Sequence, residues 1–589
     1  MKKQNKKLEN IRHSLAHLLA ASVLKKFPGA KLGIGPVIEN GFYYDFLLPR
    51  NLTPEDLNEF EKEIKKMIGQ KLSFSGKKIT PAEAKKLFRN QQFKLELIKE
   101  LISGSRTSAG SPTSQKLKKV SIYKTGDVFI DLCAGPHVKN TREINSDAFR
   151  LTHSAGAYWR GNEKKPQLQR IYGVAFETKK DLEHYLWQQE EAKKRDHRKI
   201  GKDLDLFSFH DVSPGATFWH PKGMIIFKEL EKFWRKIHEE AGYQEISTPI
   251  LVKENLFKQS GHLENYKENM YPVKIENETY YLKPMNCPES AIIYSSKIRS
   301  YKDLPIRLSE IGRLHRAELS GVLAGLFRVR QITMDDAHIY CRPSQIQIEI
   351  GGVLKLIKNF YKLFGFNPEF NLSTRPDKAM GDPALWKKAE AALEIALKKN
   401  NLPYKLKPKD GAFYGPKIDV HITDSLGRPW QLATIQLDFQ MPERFDLSYQ
   451  NEKSQKEKPV MIHRAIFGSF ERFIGVLIEN FNGALPLWLS PIQAIIIPIA
   501  SRHIKYAKNI LDELKKIGPK TELDERNETI GKKIREAQLQ KISYILIVGD
   551  EEIKNKTVNV RHYRRGQEGE IKTGALIEKI KKEIENKTI

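Results

Sequence analysis

The sequence predicts a multidomain protein in which α+β segments are followed by a C-terminal α/β module, and three observations carry that expectation. The 589 residues exceed what one hydrophobic core supports, since single cores stop growing beyond about 250–300 residues. The stretch from Lys179 to Lys199 is dense in Glu, Lys, Arg and Gln and free of Gly and Pro, which reads as a solvated helix connecting separately packed parts. From Pro491 onward, apolar runs such as AIIIPIA (494–500) and YILIVGD (544–550) alternate with amphipathic ones, the pattern of strands interleaved with helices.

Composition narrows the class. Hydrophobic residues make up 40% and charged residues 29%, an ordinary globular balance, and no apolar run approaches the roughly 18 residues of a membrane span. No membrane partner is expected. The N-terminus, MKKQNKKLENIRHSLAHLLAAS, starts basic, but its apolar residues recur at helical spacing and are interrupted by His13 and His17. It reads as an amphipathic helix rather than a signal peptide. Three cysteines cannot build a disulfide framework, which favours a reducing, cytoplasmic setting. Lys and Arg total 100 against 72 Asp and Glu, a net charge of +28. That field suits a polyanion partner, although general solubility explains it equally well on charge alone.

Taken in order, the first segment opens with that helix and continues through GPVIENGFYYDF (35–46), where Gly, Pro and Asn punctuate strand-like aromatics. Gly104–Thr113 is low in complexity and reads as a surface loop. In the connecting helix, Glu190, Glu191, Lys193 and Lys194 support helical charge pairing. The middle block mixes strands such as TYYLKPM (279–285) with a helical run over 343–364, where Gly351–Gly352 argues against an unbroken helix. The last segment predicts helices near 501–516 and 529–540, a further strand TVNVRHY (557–563), and a mostly parallel sheet.

Two groups of residues point to chemistry. Arg307–Cys341 places Arg316, Arg328 and Arg330 around a Gly-bearing loop, followed by Asp335, Asp336 and His338. Clustered guanidinium groups suit a polyphosphate, because arginine binds phosphate oxygens bidentately. Standing alone, they read as surface arginines. Near the N-terminus, His13 and His17 are four apart and share a helix face, while Cys133 and His137 share the loop DLCAGPHV. From residue type this quartet reads first as a metal site. Position 14 is Ser, so the His-Glu-x-x-His metalloprotease signature is absent.

Longer strings carry a family resemblance. Arg316-x-Glu318 followed by Phe327-Arg328 resembles motif 2 of class II aminoacyl-tRNA synthetases. GSFERFIGVLIE (468–479) resembles motif 3, and YQEISTP, ending at Pro249, resembles motif 1. LKPMNCPE (282–289), DDAHIYC (335–341), GAFYGPKID (411–419), TIQLDFQMPERF (434–445) and MIHRAIFGSFERFIG (461–475) are similar to the threonyl-tRNA synthetase family. The resemblance runs from about residue 8 to residue 585. It implies an α+β editing domain over 1–178, a linker helix over 179–202, a class II antiparallel-sheet catalytic domain over 203–490 and an α/β anticodon-binding domain over 491–589. It also implies a homodimer, because motif 1 lies at the dimer interface in that class.

The resemblance further implies ATP-dependent activation of L-threonine and its transfer to tRNA(Thr). One catalytic Zn2+ per subunit falls on Cys287, His338 and His463, with Mg2+ accompanying ATP. Arg316 and Arg472 fall on the ATP phosphates and Glu318 near the adenine. Asp336, Tyr414, Gln431 and Gln436 fall in the amino-acid pocket, Lys417 on a phosphate or carboxylate, and His262 near the transfer step to the tRNA ribose. The chemistry explains the metal. Valine is nearly isosteric with threonine, and a hydrophobic pocket separates such a pair poorly, whereas a site that demands a hydroxyl ligand rejects valine. Cys341 reads as a core thiol.

Serine keeps that hydroxyl and lacks only a methyl, worth about 1–3 kcal/mol, too little for faithful charging. A hydrolytic editing site is therefore expected, and the family resemblance lays it on His13, His17, Cys133 and His137, with Lys94 and Asp131 beside them. HSAGAYWRGN (153–162) and LQRIYGVAF (168–176) strengthen that match. Glu552 and Arg561 fall on anticodon-reading positions, and the basic run Arg561–Arg565 suits RNA phosphates. The sequence departs from the family at Glu289-Ser290, where Gly-His is usual, at Ile332 in place of an adenine-stacking aromatic, and at Met334 in place of Gln. Ala317, Leu319 and Ala324 also replace customary motif 2 residues, and the chain starts at the editing helix, without the ubiquitin-like domain that usually precedes it. The alternative reading is a non-catalytic, tRNA-binding paralogue. The intact Cys287, His338 and His463 set and both ATP arginines speak against it.

Overall fold

A computed structural model describes residues 2–103 and 118–588, with side chains from Lys6 onward. The low-complexity stretch at 104–113 lies outside the described residues. The chain forms two compact units, residues 1–190 and 191–589. Among the described residues no helix is long and apolar enough to cross a membrane.

In the first unit, the helix Lys2–Lys26 buries Ile11, Leu15, Leu18 and Leu19, the recurrence of an amphipathic face. Its core also contains Phe42, Tyr44 and Phe46 from the strand Gly41–Leu47 and Phe60 and Ile64 from the helix Pro54–Gly69. That strand belongs to a five-stranded sheet with the long hairpin Phe149–Tyr158 and Gln167–Ala175. Its pairings are antiparallel throughout. A second antiparallel sheet joins Phe74–Ile79, Val120–Thr125 and Phe129–Leu132. Its last strand delivers Asp131 and leads directly into Cys133.

The expected single connecting helix is two. Lys179–Lys194 ends before Asp196, whose carboxylate accepts the Arg198 N–H at 2.8 Å and caps a second helix, His197–Asp203. Aspartate stabilises a helix start better than a helix interior, so the chain breaks there despite lacking Gly and Pro. Charge pairing along the first helix includes Lys194 with Glu191 at 2.9 Å.

The second unit is built on an eight-stranded sheet. In spatial order its strands are Gln244–Glu245, Ile306–His315, Gln331–Cys341, Val460–Ala465, Pro429–Asp438, Lys417–Thr423, Glu369–Ser373 and Tyr404–Lys407. Only the two edge pairings are parallel. The helix Ile346–Leu363 forms where the helical run was expected and continues through Gly351–Gly352. Each glycine costs a helix about 1 kcal/mol relative to alanine, and the buried stripe Ile346, Ile350, Val353, Leu354, Ile357 and Tyr361 outweighs that penalty.

The C-terminal sheet is mixed rather than mostly parallel. Thr521–Leu523, Ala494–Pro498 and Tyr544–Val548 run parallel, whereas Thr557–His562 and Gly566–Lys572 are antiparallel additions. The reason is chain length. Only the short helix Asp550–Asn555 and then the turn Tyr563–Arg565 separate the later strands, and a parallel crossover needs a dozen or more residues.

Candidate active sites

Register assembles the larger site. His338 is directly opposite His463, His463 opposite Gln436, and Gln436 opposite Lys417. Directly opposed residues project from the same sheet face, so one row across four strands carries two imidazoles, an amide and an ammonium. Cys287 joins them from the first turn of the helix Cys287–Ser295. The ligand atoms of Cys287, His338 and His463 all lie within 4.8 Å of one another, and all three residues are buried. Burial pushes the Cys287 thiol well above its ordinary value and the His338 imidazole well below its own.

Second partners hold this cluster. His463 Nε2 meets Asp438 Oδ2 at 2.9 Å, and the other Asp438 oxygen accepts the N–H groups of Gln440 and Met441. Asp336 accepts a hydrogen bond from Asn286 Nδ2 at 3.0 Å. Burial raises the Asp336 carboxyl to about 6, partly offset by that bond. His262 is fully buried, with Nδ1 2.8 Å from Ser260 Oγ and Nε2 3.1 Å from Met285 Sδ. Its Nε2 is 3.7 Å from Cys287 Sγ, so it packs behind the cluster. Burial pushes it down to about 3.

A cavity opens above the row, and Arg316, Glu318, Arg328, Lys417, Gln431, Gln436 and Arg472 line it together with Ile332 and Met334. Burial lowers the Arg472 guanidinium, and the nearby cations Arg316 and Arg328 lower it further. Three guanidinium groups crowded into one partly desolvated space form a receptor for a polyanion. Arg330 is not part of it. Its guanidinium donates to the Glu318 and Pro214 carbonyls and to Ser320 Oγ, which secures the loop instead. Glu318 pairs with Arg328 at 2.8 Å. Lys417 and Gln431 converge on Asp419, at 2.8 and 2.7 Å, and Tyr414 donates to Gln436.

The second site lies in the first unit. Cys133 Sγ is 3.3 Å from both His13 Nε2 and His137 Nε2. His13 Nδ1 is 3.0 Å from the Pro136 carbonyl, which can only accept, so the ring proton sits on Nδ1 and Nε2 faces the thiol as an acceptor. The His137 ring lies 4.1 Å from that of His13 and 4.2 Å from that of His17. Lys94 bridges Asp131 at 2.5 Å and the Tyr44 hydroxyl at 3.0 Å, and Tyr44 donates to Asp131 at 2.5 Å. Burial pushes the Cys133 thiol up to about 12 and lowers all three imidazoles. The site therefore presents a thiol and neutral imidazoles beside a cleft lined by Arg12, His13, Glu39 and Pro136.

In the C-terminal module, Glu552 is buried and accepts the Gly549 N–H at 2.8 Å. Arg561 sits in the strand at a register shift beside Val560, and its side chain makes no hydrogen bond or ion pair among the described residues. The rest of the basic run is committed internally. Arg564 donates to the Ala484 carbonyl, and Arg565 pairs with Glu568.

Several residues of these sites are not singled out by sequence reasoning. Asn286 and Asp438 lie inside the strings LKPMNCPE and TIQLDFQMPERF, so adjacency was the available signal. Tyr44 sits in GPVIENGFYYDF without a distinguishing mark. Ser14 stands for the absent metalloprotease glutamate, and its hydroxyl lies 3.2 Å from His137 Nδ1 while accepting the Val138 N–H.

Comparison with known proteins agrees with this layout. Residues 271–481 match the tRNA synthetase class II core domain (G, H, P, S and T). Residues 493–583 match the anticodon binding domain, and 120–172 the threonyl and alanyl tRNA synthetase second additional domain. The RNA binding domain of threonyl-tRNA synthetase from Cryptosporidium parvum Iowa II superposes with a TM-score of 0.64 at 43% identity, over 66% of this chain and 98% of that one. The threonine–tRNA ligase of Caldanaerobacter subterraneus subsp. tengcongensis is 51% identical over 98% of this chain and 87% of its own length. That of Carboxydothermus hydrogenoformans is 52% identical over 98% of this chain and 89% of its own. A sheet that carries a Cys-His-His cluster in the same strand row as an arginine-lined cavity, in a chain matched at that identity over 98% of its length, establishes that this chain belongs to the threonine–tRNA ligase family of class II aminoacyl-tRNA synthetases.

Proposed function

We propose that the cavity above the four-strand row is where L-threonine is activated with ATP, and that Cys287, His338 and His463 hold a zinc ion there. The observation that carries the reading is the convergence of those three buried donors in the strand row whose Gln436 and Lys417 line the cavity together with Arg316 and Arg472. Three protein ligands with the remaining position open is the arrangement of a catalytic zinc, and the carboxylate of Asp438 behind His463 is the usual second partner of a zinc-bound imidazole. A bound zinc ion would supply a position that a hydroxyl-bearing side chain fills and valine's methyl cannot.

The chain's own residues do the rest. Arg316 and Arg472 hold the ATP phosphates from two sides, with Mg2+ arriving on the nucleotide. Asp336, kept in place by Asn286, accepts a hydrogen bond from the threonine hydroxyl, and Tyr414, Gln431 and Gln436 orient the amino acid. Its carboxylate attacks the α-phosphorus in line. A new acyl–phosphate bond forms, the bond to the bridging oxygen breaks, and pyrophosphate leaves. Positioning and charge stabilisation account for the acceleration. A hydroxyl of the tRNA ribose then attacks the acyl carbon of the adenylate, an ester bond forms, the acyl–phosphate bond breaks and AMP leaves, with His262 near that step.

The cluster of His13, His17, Cys133 and His137, with Lys94 and Asp131, is proposed to hydrolyse seryl-tRNA(Thr) without a metal. A thiol held protonated and neutral imidazoles suit orientation of a water molecule. The C-terminal module is proposed to read the anticodon through Arg561, and the protein to act as a cytoplasmic homodimer.

The test is threonine-dependent pyrophosphate exchange, run beside valine and serine, with metal content assayed on the same preparation. Exchange with threonine, weaker exchange with serine and none with valine, at about one zinc per chain, is the expected outcome. A folded, zinc-loaded protein without exchange would leave the tRNA-binding paralogue as the reading.

A further inference from the structure

A third group of metal-ligand types, Asp196, His197 and Glu479, converges in the second unit, but its atoms are already engaged. His197 Nδ1 lies 2.7 Å from Glu479 Oε1, which also accepts the His197 backbone N–H at 3.0 Å. On the other side of the ring, Nε2 is 2.9 Å from the Leu326 backbone nitrogen. A backbone N–H only donates, so Nε2 carries the lone pair and the ring proton sits on Nδ1 against the carboxylate. Asp196 is taken by Arg198. With both ring nitrogens committed, His197 is a tether and not a ligand.

What it tethers borders the phosphate cavity. Leu326 is the centre of the turn Gly325–Phe327. Gly325 has φ +53°, and a Cβ there would fall 2.3 Å from His197 Nε2, so the close approach of ring and loop needs glycine. The Phe327 ring packs 4.1 Å from His197 and 4.3 Å from Trp430. The Phe327 carbonyl accepts a hydrogen bond from Arg472 Nε at 3.0 Å. Arg472 and Glu479 both belong to the helix Phe470–Asn480. The connections close a ring from that helix through Glu479, His197 and the turn, and back to the helix at Arg472.

We infer that His197 is a positioning residue for ATP: it fixes the turn 325–327 and, through the Phe327 carbonyl, aims the Arg472 guanidinium into the cavity. His197 touches no substrate itself. The inference rests on Arg472 facing the nucleotide phosphates. It makes the first residue of the helix His197–Asp203, just beyond the division between the two compact units, a determinant of nucleotide affinity.

The experiment measures KM for ATP and for threonine in pyrophosphate exchange with the full-length protein. The variants are His197→Ala, Glu479→Ala, Glu479→Gln and the double variant His197→Ala/Glu479→Ala, each checked for an unchanged thermal midpoint. His197→Ala is expected to raise the ATP KM about 10-fold or more and to leave the threonine KM within about twofold. Glu479 also pairs with Arg428 at 2.7 Å, so Glu479→Ala should raise the ATP KM at least as much as His197→Ala, and the double variant no more than Glu479→Ala alone. Glu479→Gln keeps a carbonyl acceptor for the ring proton and should return near wild type. A folded His197→Ala with unchanged ATP KM, or with both KM values rising together, overturns the inference. Arg472→Ala separates the two readings: if it leaves the ATP KM unchanged, the phosphate role of Arg472 fails, whereas a raised ATP KM there beside a normal His197→Ala removes only the tether. Should His197→Ala not fold, Gly325→Ala probes the same approach from the loop side and is judged by the same KM split.

Discussion

His338 and His463 stand directly opposite each other on neighbouring antiparallel strands, their rings 5.0 Å apart and nearly perpendicular at 85°. That geometry does not stack the rings. It turns their nitrogens toward a common point shared with Cys287. Cys287→Ser and His463→Ala should each reduce zinc from about one per chain to near zero. Asp438→Asn, which alters only the partner behind His463, should weaken metal affinity about 10–100-fold. Metal analysis after dialysis against a graded chelator reads both effects. Full zinc retention in Cys287→Ser would remove the thiol from the ligand set.

Much of this site was legible in the sequence because the relevant strings are contiguous, but the assembly was not. The Cys-His-His set joins a helix start to two strands, and only the register of His338 against His463 brings them together. Residues that act by position went unmarked for the same reason. Asp335 stands in the string DDAHIYC, yet its role shows only in the fold: fully buried, it accepts hydrogen bonds from Trp234, Arg464 and the backbone of Ile466 and Phe467, four partners on two stretches of chain far from it in sequence. The mixed C-terminal sheet and the two-part connecting helix were misjudged on local grounds. Loop length settled the first and the cap at Asp196 the second.

Breaking the Asp335 hub should be costly. Arg464 and Asp335 are both essentially inaccessible, and removing one partner of a buried ion pair leaves an uncompensated charge, at about 3–5 kcal/mol. Asp335→Ala should therefore lower the denaturation midpoint of the second unit sharply and leave that of the first unchanged. Calorimetry of wild type and variant provides the measurement. A shift of the first-unit transition alone would contradict the assignment.

The Lys94–Tyr44–Asp131 triangle should matter to hydrolysis and not to activation. Tyr44→Phe removes the hydroxyl that donates to Asp131 and accepts from Lys94. Deacylation of preformed seryl-tRNA should slow about 10-fold, and Cys133→Ala or His137→Ala should slow it about 100-fold, in the range of a lost general acid–base group. Threonine-dependent pyrophosphate exchange should stay within about twofold of wild type. A parallel loss of exchange would place these residues in the folding of the chain rather than in editing.

Arg561 and Glu552 should separate cleanly although the family resemblance lays both on anticodon positions. The Arg561 side chain is without a partner among the described residues, so Arg561→Ala should raise the KM for tRNA and flatten its salt dependence by about one phosphate contact. Glu552 accepts the Gly549 N–H at the start of its helix. Glu552→Ala should cost about 1 kcal/mol of stability, as loss of a cap does, while Glu552→Gln keeps an acceptor and most of that stability. Charging assays at two salt concentrations, beside thermal midpoints, distinguish reading from capping.

Glu471, beside Arg472, sets a pH dependence of stability. Its carboxylate is buried and accepts the Thr333 N–H with oxygens at 2.9 and 3.1 Å. Burial pushes the carboxyl up from 4.5 to about 7, and the bonds from Thr333 offset only part of that. The folded state therefore keeps the proton to higher pH than the unfolded chain does. Where the folded state binds more protons, stability falls as pH rises. The contribution of Glu471 should be fully present below the ordinary carboxyl value, decline as pH climbs through about 7, and be absent above it. At about 1.4 kcal/mol per pH unit, the whole effect is on the order of 3 kcal/mol. Glu471→Gln cannot ionise and still offers a carbonyl to Thr333, so it should gain stability relative to wild type between about pH 5 and about pH 8. Thermal midpoints of both proteins across that range provide the measurement. A constant difference between the two curves would mean that the carboxyl is not titrating in this window.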